Sequence, residues 1–384
     1  MIHWREGTVI RVTRERPGAR ELVVSVTDRD GGTVHGASGE GAKGEVPPVE
    51  VAALALTEIV GAPEPGEVVL LNVGALRKGL GTGGQALVVA LRDRLPADPV
   101  GPGHIVKARY TPLQTMVCAL EEQESPHRKA MASLPGLRDG DLGGMPVVVA
   151  ELHSALPAIL AGIYQARPDA RVGYVMTDSA ALPMAHSRLV ADLVAAGWLA
   201  TTISAGQAFG GEHEAITLHS ALLAARHVLG CDIVVVAQGP GNAGSATAWG
   251  HSGISAGDAL NAVHTLRGRA VAALRVSGAD PRERHRGLSH HAGTTLGRVV
   301  LGAADVVTVE PTEEVTRAVL ASLTELAQVA AGDLTVVRVA PEGLVEALES
   351  SPVRLSTMGR GLDDDPAAFL VGAAAGRHAA GLAS

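Results

Sequence analysis

The chain has 384 residues, of which 46% are hydrophobic and 19% charged, which excludes a disordered protein and leaves length for two or three domains with a sizeable core. A net charge of −8 argues against a dedicated nucleic-acid binder, whose affinity rests on clustered positive charge. Cys118 and Cys231 lie in apolar settings and make no disulfide scaffold; no apolar run reaches about 18 residues and the start lacks a signal-peptide core, so the expected setting is the cytoplasm, without membrane contact.

Residues 1–100 predict a small β-rich domain, a barrel or a sandwich. Gly7-Thr-Val-Ile-Arg-Val-Thr13 alternates polar and apolar side chains as a half-buried strand does, and similar runs follow at 21–27, 50–56, 66–73 and 86–91. The polar, glycine-rich stretch 28–44 reads as a long loop. Gly79-Leu-Gly-Thr-Gly-Gly84 lacks the Lys-Ser/Thr ending of a phosphate loop and reads as a hairpin or bulge. Residues 101–145 read as a connector, in which Thr111 and Pro112 predict a capped helix over 113–124.

From Pro146 to about 345 strands and helices alternate. Strand-like runs at 147–152, 172–177, 199–203, 232–238, 270–276, 305–309 and 334–339 are separated by helical patterns at 154–165, 181–196, 212–229, 256–266 and 313–330. This predicts an α/β domain, a mainly parallel Rossmann-like sheet with helices on both faces. Residues 346–384 read as a C-terminal tail, a polar loop followed by a short Ala-rich helix.

In such a sheet the loops after the strands share one edge and carry the chemistry. Three of them stand out. Glu151-Leu-His-Ser-Ala-Leu-Pro157 echoes Met176-Thr-Asp-Ser-Ala-Ala-Leu-Pro183, so Ser154 and Ser179 read either as helix caps or, with His153 and Asp178, as groups facing one crevice. Gly239, Gly241 and Gly244 satisfy G-x-G-x-x-G after a strand, but Trp249-Gly-His-Ser-Gly253 intervenes before the next helix, against a nicotinamide site. That loop reads instead as a tight turn or as an anion nest, with Gly239, Gly241, Asn242, Gly244 and Ser245 as ligand-binding residues.

The third loop is Asp280-Pro-Arg-Glu-Arg-His-Arg-Gly-Leu-Ser-His-His291. Imidazole with carboxylate suits zinc, manganese or iron, and guanidinium suits phosphate. The expected roles are His285, His290 and Asp280 as metal ligands or acid–base groups, with only one of His290 and His291 facing the pocket. Arg282 and Arg284 are expected to clamp an anion. No zinc signature of named spacing is present, and a solvated loop is the alternative. Covalent hydrolysis is the weaker idea, because no Gly-x-Ser-x-Gly elbow exists and neither cysteine has an activating neighbour in sequence. His153, Asp178, Gly241 and His285 are expected to line one pocket.

The chain resembles a bacterial domain-of-unknown-function family, common in actinobacteria and bacilli. Leu71-Asn72, the 79–84 glycine run, Tyr110-Thr-Pro-Leu-Gln114, Gly239-Pro-Gly-Asn242, the 280–291 stretch and Thr357-Met-Gly-Arg-Gly361 carry the likeness. It imports neither substrate nor mechanism. Two functions therefore stay open: an enzyme acting on a small anionic, phosphorylated molecule, with a divalent metal or proton transfer at the His/Asp cluster; or a non-catalytic ligand-binding or regulatory protein using the same crevice. The density of titratable groups at strand ends favours the enzyme. Substrate, metal and oligomeric state, a homo-oligomer included, are left open.

Overall fold

The structure is a computed structural model that describes residues 2–26, 48–79 and 84–383. The expected loop at 28–44 and the middle of the 79–84 glycine run fall outside the described residues. The chain divides into two compact units, Met1–Gly101 and Pro102–Ser384.

The first unit is a closed five-stranded barrel. Its strands are β1 (Trp4–Arg16), β2 (Ala19–Val26), β3 (Val49–Leu56), β4 (Val68–Asn72) and β5 (Ala86–Leu91), in the order β1-β2-β3-β5-β4, with one-turn helices α1 (Thr57–Val60) and α2 (Gly74–Arg77) between them. Alternate residues fill the interior, among them Val9, Leu22, Val24, Val51, Val69 and Leu71. β1 pairs with both β2 and β4, and register shifts after Val9 and Val12 bend it enough to do so.

The second unit opens with a hairpin of β6 (Ile105–Lys107) and β7 (Thr115–Val117), then short helices α3 (Arg128–Ser133) and α4 (Pro135–Asp139). The helix expected over 113–124 is absent. Residues 115–117 pair with 105–107, and the Glu122 carboxylate accepts from the backbone N–H groups of Ala119 and His104 at 2.8 and 2.7 Å, which holds the following segment in turns.

An eight-stranded parallel sheet follows. Its strands are β8 (Pro146–Ala150), β9 (Val172–Thr177), β10 (Thr201–Ser204), β11 (His213–Glu214), β12 (Ile233–Gln238), β13 (Arg269–Ala273), β16 (Ala304–Val309) and β17 (Leu334–Val339). They lie in the order β11-β10-β9-β12-β8-β13-β16-β17. Between β13 and β16 the chain forms a small antiparallel hairpin, β14 (Val276–Ser277) with β15 (Gly287–Leu288). Every residue of β8 and β12 is buried, as expected of strands covered on both faces.

The larger helices are α5 (Leu156–Ala166), α6 (Arg188–Ala195), α7 (Leu218–His227), α8 (Ser255–Thr265), α10 (Glu314–Val329), α11 (Leu344–Glu349) and α12 (Pro366–Leu382); α9 (His291–Thr294) is a single turn that widens into a π-helical turn at Thr295–Val299. Both α8 and α12 pack on β8 and β13, from opposite faces. α12 is longer and more deeply buried than an Ala-rich terminal stretch implies. Its backbone lies against α5: a Cβ at Gly162 would overlap the Ala373 carbonyl, and one at Gly376 the Ile159 carbonyl.

Neither Ser154 nor Ser179 caps a helix. Ala155 occupies the N-cap of α5 without a side-chain bond, and Ser187 caps α6 by accepting from Val190 N–H at 3.1 Å. α6 is shorter than the 181–196 pattern because residues 182–184 are tied to Phe209 by backbone hydrogen bonds. The path of the chain fixes where a site can form. From β8 it runs outward to β9, β10 and β11, returns to β12 beside β8, and then turns to β13 on the other flank. The switch point lies where β12, β8 and β13 meet, and their carboxyl ends open the crevice in which α/β sheets bind ligands.

Candidate functional site

Three side chains leave the sheet at that point. Glu151 is the first residue after β8, Gln238 the last of β12, and Arg275 the second after β13. Glu151 is buried, and its Oε1 accepts from His291 Nδ1–H at 2.5 Å, Arg275 Nη1 at 2.8 Å and Asn242 Nδ2 at 2.9 Å. Burial would raise this carboxyl, but the His291 hydrogen bond and the Arg275 charge outweigh it and hold it at about 2. Gly253 permits the approach, since a Cβ there would strike the Glu151 carboxylate. Gln238 donates to the Glu151 carbonyl at 3.0 Å.

The glycine loop carries side chains to this carboxylate. Ser245 N–H donates to Gly250 O at 2.8 Å and the intervening Ala243 N–H to Ser252 Oγ at 3.1 Å, so one N–H of the expected anion nest, that of Ser245, is spent inside the loop. Gly244 bridges to His251, and Asn242 Oδ1 accepts from Ser252 Oγ at 2.6 Å. Ser245 Oγ bonds Thr247 and Gly250, Gly239 lies against the Ala181 carbonyl, and Gly241 takes a left-handed φ of 102°. The result places Asn242 and His251 beside Glu151.

Four imidazoles gather there. His251 stacks on His291 with ring centres 3.6 Å apart and planes 6° apart. His285, His290 and His291 form a second group, with centres 5.0, 5.1 and 4.5 Å apart and planes inclined by 48°, 89° and 65°. His285 Nδ1 lies 2.8 Å from the buried Ser289 hydroxyl, whereas Nε2 of His290 is buried without a hydrogen-bond partner. Burial lowers His285 to about 4, helped by Arg275, Arg282 and the neighbouring rings; burial also lowers His290 and His251. In all three rings burial disfavours the charged form. Narrow recesses flank the Glu151–Arg275 pair, one lined by Ser154, Thr357 and Phe369, the other by Leu260, Thr295 and Leu296.

Of the residues expected from the sequence, His285, His290, Asn242 and Ser154 therefore lie at or beside this centre. His291 joins His290 instead of pointing away from it. His153 does not line the recesses beside Glu151: its ring is held inside the protein, Nδ1 3.0 Å from Tyr174 OH and Nε2 2.7 Å from Ser187 Oγ, and burial lowers it to about 4. Asp178 accepts from Gln207 N–H at 2.8 Å on the loop after β10, and Ser179 is half-buried beside it.

Asp280 belongs to an ion-pair network instead of the imidazole group. It takes a two-bond clamp from Arg282, at 2.9 and 2.8 Å, and lies 3.4 Å from Arg360 Nη2. Arg360 also reaches Asp365, which accepts from Ser277 Oγ. Arg282 thus clamps its own loop. Arg284 is exposed, and its carbonyl accepts from His290 N–H at 2.9 Å.

A family model described as Protein of unknown function (DUF3866) matches residues 52–376. The chain belongs to that family. No curated protein and no solved structure matches it. The DUF3866 span contains Glu151, Gln238, Asn242, His251, Arg275 and the whole 280–291 loop. Among the described residues no helix is long and apolar enough to cross a membrane.

Proposed function

We propose that this chain is an enzyme acting on a small anionic molecule, with the buried Glu151–His291 pair at the heart of its site. The observation that carries the reading is the position of that pair: a carboxylate hydrogen-bonded to an imidazole at the switch point of a parallel sheet, among three further imidazoles. A carboxylate on Nδ1–H fixes the tautomer and leaves Nε2 as a lone pair, the form needed to take a proton or to ligate a metal. Simple recognition of an anion does not require such a concentration of titratable groups. Arg275 is neutralised by Glu151, so the exposed Arg284 beside His290 is the cation that would receive the anion.

The test is a panel of inorganic phosphate and phosphorylated metabolite-sized compounds, followed by calorimetry and by NMR for turnover. At least one compound should bind and be converted, Arg284→Ala should weaken binding about fivefold, an exposed charge contact being worth on the order of 1 kcal/mol, and Glu151→Gln should cut turnover roughly 10²–10⁴-fold. Binding without conversion would make the chain a sensor of that anion. No binding at all would overturn the reading.

A further inference from the structure

We infer that His285, His290 and His291 hold one divalent transition-metal ion through three Nε2 atoms. The inference deepens the reading above by naming what the imidazoles hold. Its first support is direction. Glu151 can only accept and takes the nearer contact to His291 Nδ1, at 2.5 Å against 3.3 Å for Arg275 Nη1, so Nε2 is the ring atom turned toward an ion. The Ser289 hydroxyl occupies His285 Nδ1, and His290 Nε2 is buried with no partner. An orphaned buried nitrogen is costly unless something completes it.

The second support is shape. Three imidazoles on a tetrahedral ion at about 2.1 Å place their ring centres roughly 5 Å apart, and the observed separations are 5.0, 5.1 and 4.5 Å. One ring nitrogen from each residue lies within 4.8 Å of the other two. The three planes are inclined to one another, so they can share a point. Glu151, His251 and His291 also place ligand atoms within 4.8 Å of one another. That set fails the same test: the His251 and His291 planes are parallel and 3.6 Å apart, and an ion cannot lie in both. His251 is thus a stacking wall for His291 and not a ligand.

Three neutral ligands leave the ion its full double charge and an open position, the arrangement of catalytic rather than closed structural sites. That charge suits an anionic fourth ligand, which is the substrate class proposed above. Glu151 and Ser289 orient two of the three rings from behind, as outer partners of metal-bound histidine commonly do.

The experiment uses the full chain, stripped with chelator and titrated with zinc, manganese or cobalt alone, with stoichiometry by elemental analysis and geometry by the visible spectrum of the cobalt form. One ion per chain with a tetrahedral cobalt spectrum is expected. His285→Ala or His290→Ala should lose it, Ser289→Ala should weaken affinity roughly 10–100-fold, and His251→Ala and Asp280→Ala should keep full stoichiometry; circular dichroism checks that each variant folds. Absence of binding by the folded wild type, or loss of the ion in His251→Ala with retention in His285→Ala, would overturn the assignment. A metal-free wild type that still converts a phosphorylated compound would sink the metal site alone, whereas a metal-loaded chain that binds no anion would sink the proposed function alone.

Discussion

Glu151 collects an imidazole, a guanidinium and a carboxamide on one oxygen, and each of those donors would be stranded without it. Glu151→Gln should leave the largely enclosed Arg275 guanidinium without its counter-charge and cost about 3 kcal/mol, read as a shift in urea unfolding at pH 7. His153 makes the opposite comparison. His153→Ala removes one partner each from the Tyr174 and Ser187 hydroxyls, which keep the Ala237 carbonyl and the Val190 N–H, and should cost about 1–3 kcal/mol in all, yet inorganic phosphate and metal titrations should be unchanged. Asp280 adds a pH dependence. The Arg282 hydrogen bonds, against an opposing burial effect and with help from the Arg360 charge, hold it below the ordinary carboxylate range. A folded value below the unfolded one of about 3.9 means stability that is present above that pH and lost on acidification. The urea midpoint of Asp280→Asn should therefore fall below wild type at pH 7, and the gap should narrow as pH drops under about 4.

Two glycines of α12 test how the helices meet. A side chain at Gly376 meets the α5 backbone, which has no rotamer to yield, while Gly381 faces open space. Gly376→Ala should destabilise by more than 1 kcal/mol, typical of overpacking, and Gly381→Ala should stabilise by about 0.5–1 kcal/mol as a helix-propensity gain; paired thermal melts decide it. The strands were legible in the sequence because runs such as Ile233–Gln238 are β-branched and buried on both faces, a demand few other environments make. The carboxyl edge was legible for the same reason. What was not legible is which side chain at a strand end turns inward. Glu151 and His153 are two residues apart, but the turn beginning at His153 rotates that ring back onto Tyr174 and leaves Glu151 to face β12 and β13. His251 was hidden within Gly250-His-Ser-Gly253, where it reaches the site through the bridge to Gly244, a pairing no local pattern announces. The Thr111-Pro112 signal failed because tertiary partners, Glu122 among them, outweighed a local helix start.

The two units have separate apolar cores, one inside the barrel and one around the sheet. A chain ended after Asp365 should accordingly lose the sheet unit and keep the barrel: limited proteolysis should degrade residues beyond about 101 and spare a barrel fragment. The reason is that α12 supplies Phe369, Val371 and a run of buried alanines to the core over β8 and β13. This has a consequence for biosynthesis. α5 and α12 are about two hundred residues apart in the chain yet pack directly together. At roughly 5–20 residues per second, the ribosome needs on the order of 10–40 s to travel between them. Through that interval the first strand and helix of the sheet wait beside an uncovered apolar face, and the slow closure expected of distant contacts can begin only afterwards. A nascent chain of this design depends on being shielded while it waits, so its yield should respond to holdase supply and to elongation rate between codons 166 and 366.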